Sequence, residues 1–250
     1  MNTKQQSAEA YSYDQARHGV STVRQSADVI APLLTRKFGP RSVVDFGCGV
    51  GDWLAAFAAA GVPDALGLDG SWVPLENLQI PQSSFQLADV TRPIILPRRF
   101  DLAICLEVAE HIPEASAGCL LDSLAAAADL VVFSAAIPGQ GGYEHVNERF
   151  QQDWVERFTA RGYQAFDLVR PEIWTDPRVS VWYRQNLLVF ARAEAVIRHS
   201  LRPAPFVASL VHPEIYLAKL DPRSWSLRQI GKHLGWYLSR SISARFRRIR

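Results

Sequence analysis

The chain has 250 residues, 48% hydrophobic and 21% charged, a globular balance that excludes a disordered protein and suits one domain with attachments. No apolar run reaches the ~18 residues of a membrane-spanning helix, and the N-terminus lacks the apolar stretch of a secretory signal. The net charge of +2 divides unevenly: residues 196–250 hold 11 Lys and Arg against 2 Asp and Glu, net +9, leaving 16 against 23, net −7, for residues 1–195. Three scattered cysteines (Cys48, Cys105, Cys119) form no disulfide frame or zinc pattern, so a reduced, cytoplasmic setting is expected.

Residues 1–24 lack a strong period and read as a leader or lid. The run Ser26–Phe38 places apolar residues at helical spacing and stops at Gly39-Pro40. SVVDF then predicts a strand, Gly47-Cys48-Gly49-Val50-Gly51 a tight turn, and DWLAAFAAAG a helix. ALGLDG, SFQLADV, FDLAICLE and DLVVFSAA are further short apolar strands, the last two separated by the helical ASAGCLLDSLAAAA. Strands alternating with helices predict a mostly parallel sheet covered on both faces. Ligands of such sheets bind beyond the carboxyl ends of the strands, so the polar residues there are the first candidates for function.

The glycine turn reads D-x-G-x-G-x-G from Asp45 to Gly51. It departs from a dinucleotide G-x-G-x-x-G because Asp52 stands where the third glycine would be. Asp69 closes the second strand, in a position suited to ribose hydroxyls, and Asp89 closes the third, within reach of an adenine amine. Three acids at three successive strand ends resemble the class I S-adenosylmethionine-dependent methyltransferases, and the likeness runs from about Ser42 to Arg192. That resemblance implies an α/β, Rossmann-like seven-stranded sheet with an antiparallel last strand, YQAFDLVRPEIW and QNLLVFAR supplying the final two strands. It implies that Gly47, Gly49 and Gly51 wrap the methionine part, Asp69 the ribose and Asp89 the adenine, with Asp45, Val90 and Glu107 completing the cofactor set.

Next comes Glu107-Val108-Ala109-Glu110-His111. If these residues begin a helix, Glu107 and Glu110 share a face and His111 lies one turn from Glu107. Clustered carboxylates repel, and a divalent cation would satisfy them: Mg²⁺ or Mn²⁺ by the oxygen ligands, with imidazole admitting Zn²⁺ or Fe²⁺. The loop at 138–148 adds His145. E-x-x-E-H followed by a loop histidine resembles the small-RNA ribose 2′-O-methyltransferases and the ubiquinone-pathway O-methyltransferases. That likeness implies a metal shell of Glu107, Glu110, His111 and His145. Without a metal, His145 or His111 is the catalytic base, and Glu110 and His111 become helix-start residues.

Trp154, Trp174, Trp182 and Tyr183, interleaved with Arg178, Arg184, Gln185 and Asn186, suit a sugar or nucleotide acceptor, although most of these aromatics are expected in the core. The stretch resembles bacterial methyltransferases of surface-polysaccharide biosynthesis. The expected activity is therefore O-methylation of a sugar or glycan hydroxyl. Ribose 2′-O-methylation of RNA ends, quinone or catechol O-methylation, and a non-catalytic cofactor-binding scaffold are the alternatives. The acidic body disfavours nucleic acid. Leu227, Ile230, Leu234, Leu238, Ile242, Phe246 and Ile249 form one helical stripe among basic residues, fit to pack on the body, on a twin subunit in a homodimer, or on an anionic membrane through residues 225–250. The expected division is 1–24 leader, 25–194 methyltransferase domain and 195–250 basic helical extension.

Overall fold

The computed structural model describes residues 20–202 and 206–221, together with Ile230, Gly231 and Leu234. The expected leader up to residue 19 and most of the basic stripe lie outside the described residues. The chain divides into two compact units, Met1–Leu210 and Val211–Arg250.

Helix α1 (Val20–Phe38) starts earlier than Ser26 and ends where expected, because Gly39 adopts φ 55° and its amide donates to the Thr35 carbonyl at 2.8 Å. Then follow β1 (Ser42–Phe46), α2 (Asp52–Ala59), β2 (Asp64–Asp69), β3 (Phe85–Leu87), β4 (Leu102–Leu106), α3 (Glu114–Ala127) and β5 (Leu130–Ser134). The first unit continues through α4 (Gln151–Thr159), β6 (Gln164–Phe166), α5 (Arg170–Ile173), α6 (Val181–Asn186), β7 (Leu188–Ala191) and α7 (Ala193–Arg198). The second unit holds α8 (Pro213–Leu220), whose N-terminus His212 caps by accepting from the Glu214 amide at 3.2 Å.

The seven strands run in the order β3-β2-β1-β4-β5-β7-β6. All pairs are parallel except those of β7, which is antiparallel to both β5 and β6. Alternation along each strand sends side chains to two separate cores. Val43, Leu102, Ile104, Leu130, Val132 and Val189 meet α1 and α2 on one face. Val44, Ala103, Cys105, Val131, Phe133 and Phe190 meet α3 and α4 on the other. The order reverses between β1 and β4, so the crevice beyond their carboxyl ends is the topological switch point where such sheets take ligands.

Three local expectations are corrected. Of YQAFDLVRPEIW only Gln164–Phe166 is strand, because Pro171 cannot donate to a ladder and instead fits the first turn of α5. Gln185 and Asn186 end α6 rather than begin β7. Residues 107–111 do not begin α3: Ile112 is extended ahead of Pro113, and α3 starts at Glu114. Glu107 instead adopts φ 55°, and Ala109–His111 form a separate 3-10 turn.

Candidate active site

The glycine turn closes β1 with three left-handed residues, Gly47 (φ 84°), Gly49 (φ 53°) and Gly51 (φ 89°). Two of them are also sterically required. A Cβ on Gly47 would meet Val108 at 2.5 Å, and one on Gly51 would meet Ile80 at 2.9 Å. Asp69, at the end of β2, ties the turn down: its Oδ2 accepts from the Gly49 amide at 2.6 Å and its Oδ1 from the Gly70 amide at 2.7 Å. Asp45 is 2% exposed, and its Oδ2 has no hydrogen-bond partner. Burial, seconded by the charge of Asp69, pushes its carboxyl well above the usual aspartate range. Asp89 is half exposed, accepts from the Thr91 amide and hydroxyl, and pairs with Arg92 at 3.3 Å; Val90 beside it is buried.

Beyond β4, Glu107 donates its amide to the Ser134 carbonyl at 3.0 Å, which pins it to the end of β5. Its carboxylate accepts from Asn186 Nδ2 at 3.2 Å and from Gln140 Nε2 at 3.4 Å. Glu110 is 1% exposed and hydrogen-bonded to Glu107 through their side chains. Burial raises both carboxyls, and at Glu110 the charge of Glu107 raises it further. A buried carboxyl hydrogen-bonded to a second, partly buried one must hold a proton between them or meet a cation.

The loop after β5 returns over this corner. The amides of Val146 and Asn147 both donate to the Glu110 carbonyl, at 2.8 and 3.0 Å, and Asn147 Nδ2 donates to the Ala109 carbonyl. His145 thereby lies against His111, ring centroids 4.9 Å apart at 86°. One ligand atom each from Glu110, His111 and His145 lies within 4.8 Å of the others. Glu107 stands outside that trio, held by the two amides, so the four-ligand shell expected from sequence reduces to three among the described residues.

Glu148 is a site residue that sequence reasoning missed. Its carboxylate accepts from the Gly139 and Gly141 amides at 2.7 and 2.9 Å and sits 3.0 Å from His145 Nδ1. Burial would raise its carboxyl, but the bonds from His145 and the two amides outweigh that and hold it below the glutamate range. An ionised Glu148 accepts only, so Nδ1 of His145 carries the proton and Nε2 is the basic nitrogen. The i,i+3 spacing of His145 and Glu148 was the signal available in the sequence. Gln140, Gln185 and Asn186 gave none toward Glu107, being 33 to 79 residues away.

Of the interleaved polar groups expected to face an acceptor, Arg184, Gln185 and Asn186 are buried within the fold, whereas Arg178 is exposed. Arg184 donates to the Val179 and Trp174 carbonyls, and Arg178 pairs with Asp176. Trp154 and Tyr183 are core residues, as expected of most of these aromatics, and Tyr183 meets Trp53 edge-on at 5.1 Å.

The buried acids Asp45, Asp69 and Glu110, beside Glu107, leave the crevice short of positive charge. S-adenosylmethionine, with its sulfonium and ammonium, fits that need, and the unpartnered Asp45 oxygen and the left-handed glycine turn fit its close approach.

Solved structures with the same architecture include magnesium protoporphyrin IX methyltransferase from Synechocystis PCC 6803 with bound S-adenosylhomocysteine. It is 20% identical, with 75% of this chain and 90% of that one covered, TM-score 0.52. The amino pentose methyltransferase CalS10 from Micromonospora echinaspora, 15% identical, covers 75% of this chain and 100% of its own, TM-score 0.55. The methyltransferase domain of the bacterial CtHen1-C, 20% identical, covers 68% and 98%, TM-score 0.52. No curated protein sequence matches the chain. A methyltransferase-domain family profile matches residues 16–169, so the chain belongs to that family and is an S-adenosylmethionine-dependent methyltransferase.

Proposed function

We propose that the enzyme methylates a hydroxyl of a sugar or glycan intermediate and that the Glu110–His111–His145 cluster activates that hydroxyl. The observation behind this reading is the cluster itself: three donors within 4.8 Å, one of them a buried carboxylate whose Oε2 has no hydrogen-bond partner. An alcohol is a poor nucleophile at neutral pH, and a site beside the methyl donor needs some means of taking its proton.

S-adenosylmethionine, when bound, supplies an electrophilic methyl on a sulfonium. Asp45 would balance its ammonium, Gly47, Gly49 and Gly51 would admit its methionine part, and Asp69 would hold the ribose. Asp89 and Val90 would flank the adenine, and Glu107 would contact the cofactor from the β4 side. Glu110, His111 and His145 would hold a divalent cation, whose Lewis acidity lowers the pKa of an acceptor hydroxyl. Without a cation, the imidazoles of His111 and His145 are the bases that the cluster offers for the proton; in either case Glu148 fixes which nitrogen of His145 faces the cluster with a free lone pair. Methyl transfer is an in-line displacement, so the remaining task is orientation, for which the loop bonds to Glu110 suit a fixed acceptor seat.

A second acceptor class is favoured by one observation. Tyr143, Val146 and Phe150 around the His145 loop are exposed, and an apolar rim suits a quinol or catechol. The second unit is proposed to meet an anionic membrane surface, which suits an acceptor carried on a lipid. No described helix is long and apolar enough to cross a membrane.

The test is turnover of labelled S-adenosylmethionine by the full chain on sugar nucleotides, lipid-linked glycans, a catechol and RNA ends. Transfer to a carbohydrate, abolished by chelation and restored by Mn²⁺ or Mg²⁺ with cofactor affinity unchanged, is expected. Transfer only to RNA or catechol overturns the acceptor assignment. Chelator-resistant turnover overturns the cation and leaves His145 as the base.

A further inference from the structure

The lead-in to β7 carries a polar junction whose amides, Gln140, Gln185 and Asn186, lie outside the cofactor and cation sets above and which ends on Glu107. Gln185 and Asn186 are 0% and 2% exposed, yet both end in primary amides, which are costly to bury unless every bond is made. The bonds run in one direction. Gln185 Nε2 donates to Gln140 Oε1 at 2.9 Å and to Asn186 Oδ1 at 3.0 Å. Asn186 Nδ2 donates to Gln140 Oε1 at 3.0 Å and to Glu107 Oε1 at 3.2 Å. Gln140 Nε2 then donates to Glu107 Oε2. Both Glu107 oxygens accept from these amides, so the donors converge on one carboxyl and the amide orientations are dictated.

The junction is braced from behind. Arg170, 1% exposed and bidentate to Asp167, donates to the Gln185 carbonyl at 3.1 Å. Gln151 Nε2 donates to that same carbonyl at 3.2 Å. Glu107 also occupies a left-handed conformation (φ 55°), which costs a side-chain-bearing residue energy and persists only where surroundings over-determine it. Its carboxylate bonds to Asn186 and Gln140 supply that determination.

We infer that Asn186, seconded by Gln185, is a positioning residue that locks the Glu107 carboxylate and the acceptor loop at Gln140 into one unit. Cofactor affinity and order of the loop are thereby set together. The inference rests on the proposed place of Glu107 at the cofactor but on no assumption about the acceptor or the cation.

The experiment uses the full-length chain and two readouts, S-adenosylmethionine affinity by calorimetry and hydrogen exchange of the loop amides at residues 139–142. Asn186→Asp keeps the shape and replaces the donor by a carboxylate facing Glu107. Affinity is expected to fall at least ten-fold and the loop amides to exchange at least ten-fold faster, while amides of β1 and β4 keep their rates. Asn186→Asp combined with Glu107→Gln reverses donor and acceptor and is expected to return loop exchange to within about three-fold of wild type. Unchanged affinity or unchanged loop exchange in Asn186→Asp overturns the inference. So does a double variant whose loop exchanges as fast as that of Asn186→Asp alone, because a merely space-filling amide would gain nothing from the reversal. A wild-type chain that fails to bind S-adenosylmethionine would instead remove the cofactor reading, and a failure confined to the acceptor panel leaves the junction untouched.

Discussion

Glu110 combines near-complete burial, one hydrogen bond to a second carboxyl and an oxygen without a hydrogen-bond partner. Burial first, then the charge of Glu107, raises its carboxyl well above the ordinary glutamate value. A carboxyl whose folded-state pKa is raised contributes stability that is fully present below the unfolded value of 4.5 and is lost as pH rises through the folded value. In chelator, then, the protein should lose stability between mildly acidic and neutral pH. Glu110→Gln removes the charge at constant shape. At pH 7.5 it should be more stable by about 0.5–2 kcal/mol, a few degrees in Tm, with the gain fading toward pH 5. Methyl transfer should be lost in the same variant. Thermal melts from pH 5 to 8 decide the matter, and a Tm lowered at every pH would show that the ionised carboxylate is already compensated within the protein.

The loop between β5 and α4 shows how a short irregular element can place a reactive ring. Glu148 gathers Gly139, Gly141 and His145 on one carboxylate, while Glu110 receives the amides of Val146 and Asn147. Gly142 is needed there for space rather than for its backbone angle, since a Cβ would overlap the His145 ring. Gly142→Ala should therefore displace His145 and lower kcat about 10²-fold, the cost of roughly 1 Å of misplacement, while cofactor affinity stays within about two-fold. Equal losses of kcat and of affinity would place the loop's role at the cofactor instead. How far such features could be read from sequence depends on their range. β1, β2, β4 and β5 are apolar runs bounded by turns, and the acids at Asp45 and Asp69 mark the ends of β1 and β2, so the fold and the crevice at the strand ends were legible. The grouping of Glu110, His111 and His145 was legible too, because resemblance supplied what spacing could not. Glu107 was misplaced by one local effect, Pro113 holding Ile112 out of the helix, which moved the start of α3 to Glu114. Its contact with Asn186 spans 79 residues and depends on the order β4-β5-β7, which no local pattern encodes.

At the scale of the molecule the two compact units carry opposite charge. Residues 211–250 hold 9 Lys and Arg against 2 Asp and Glu, with no acid after Asp221. In α8 no residue is buried, and Tyr216, Leu217 and Leu220 are exposed, as are Ile230 and Leu234 farther on. A segment whose sequence is apolar and, after Asp221, carries only basic charge discriminates between partners. A protein partner of mixed charge would reward some acids on this side, whereas an anionic bilayer rewards apolar insertion and each cation near its surface, the latter by about 1 kcal/mol. Full-length enzyme should therefore sediment with vesicles containing about 30% anionic lipid at low salt. Binding to neutral vesicles should be weak, and binding overall should weaken at 0.5 M salt, where the Debye length falls to about half its physiological value. Leu217→Asp combined with Leu234→Asp should reduce sedimentation at least ten-fold at unchanged Tm, because both side chains are exposed. Salt-insensitive binding to neutral vesicles would make the contact purely apolar. Concentration-dependent dimerisation abolished by the same pair, with no vesicle binding, would give this surface to a second copy of the chain.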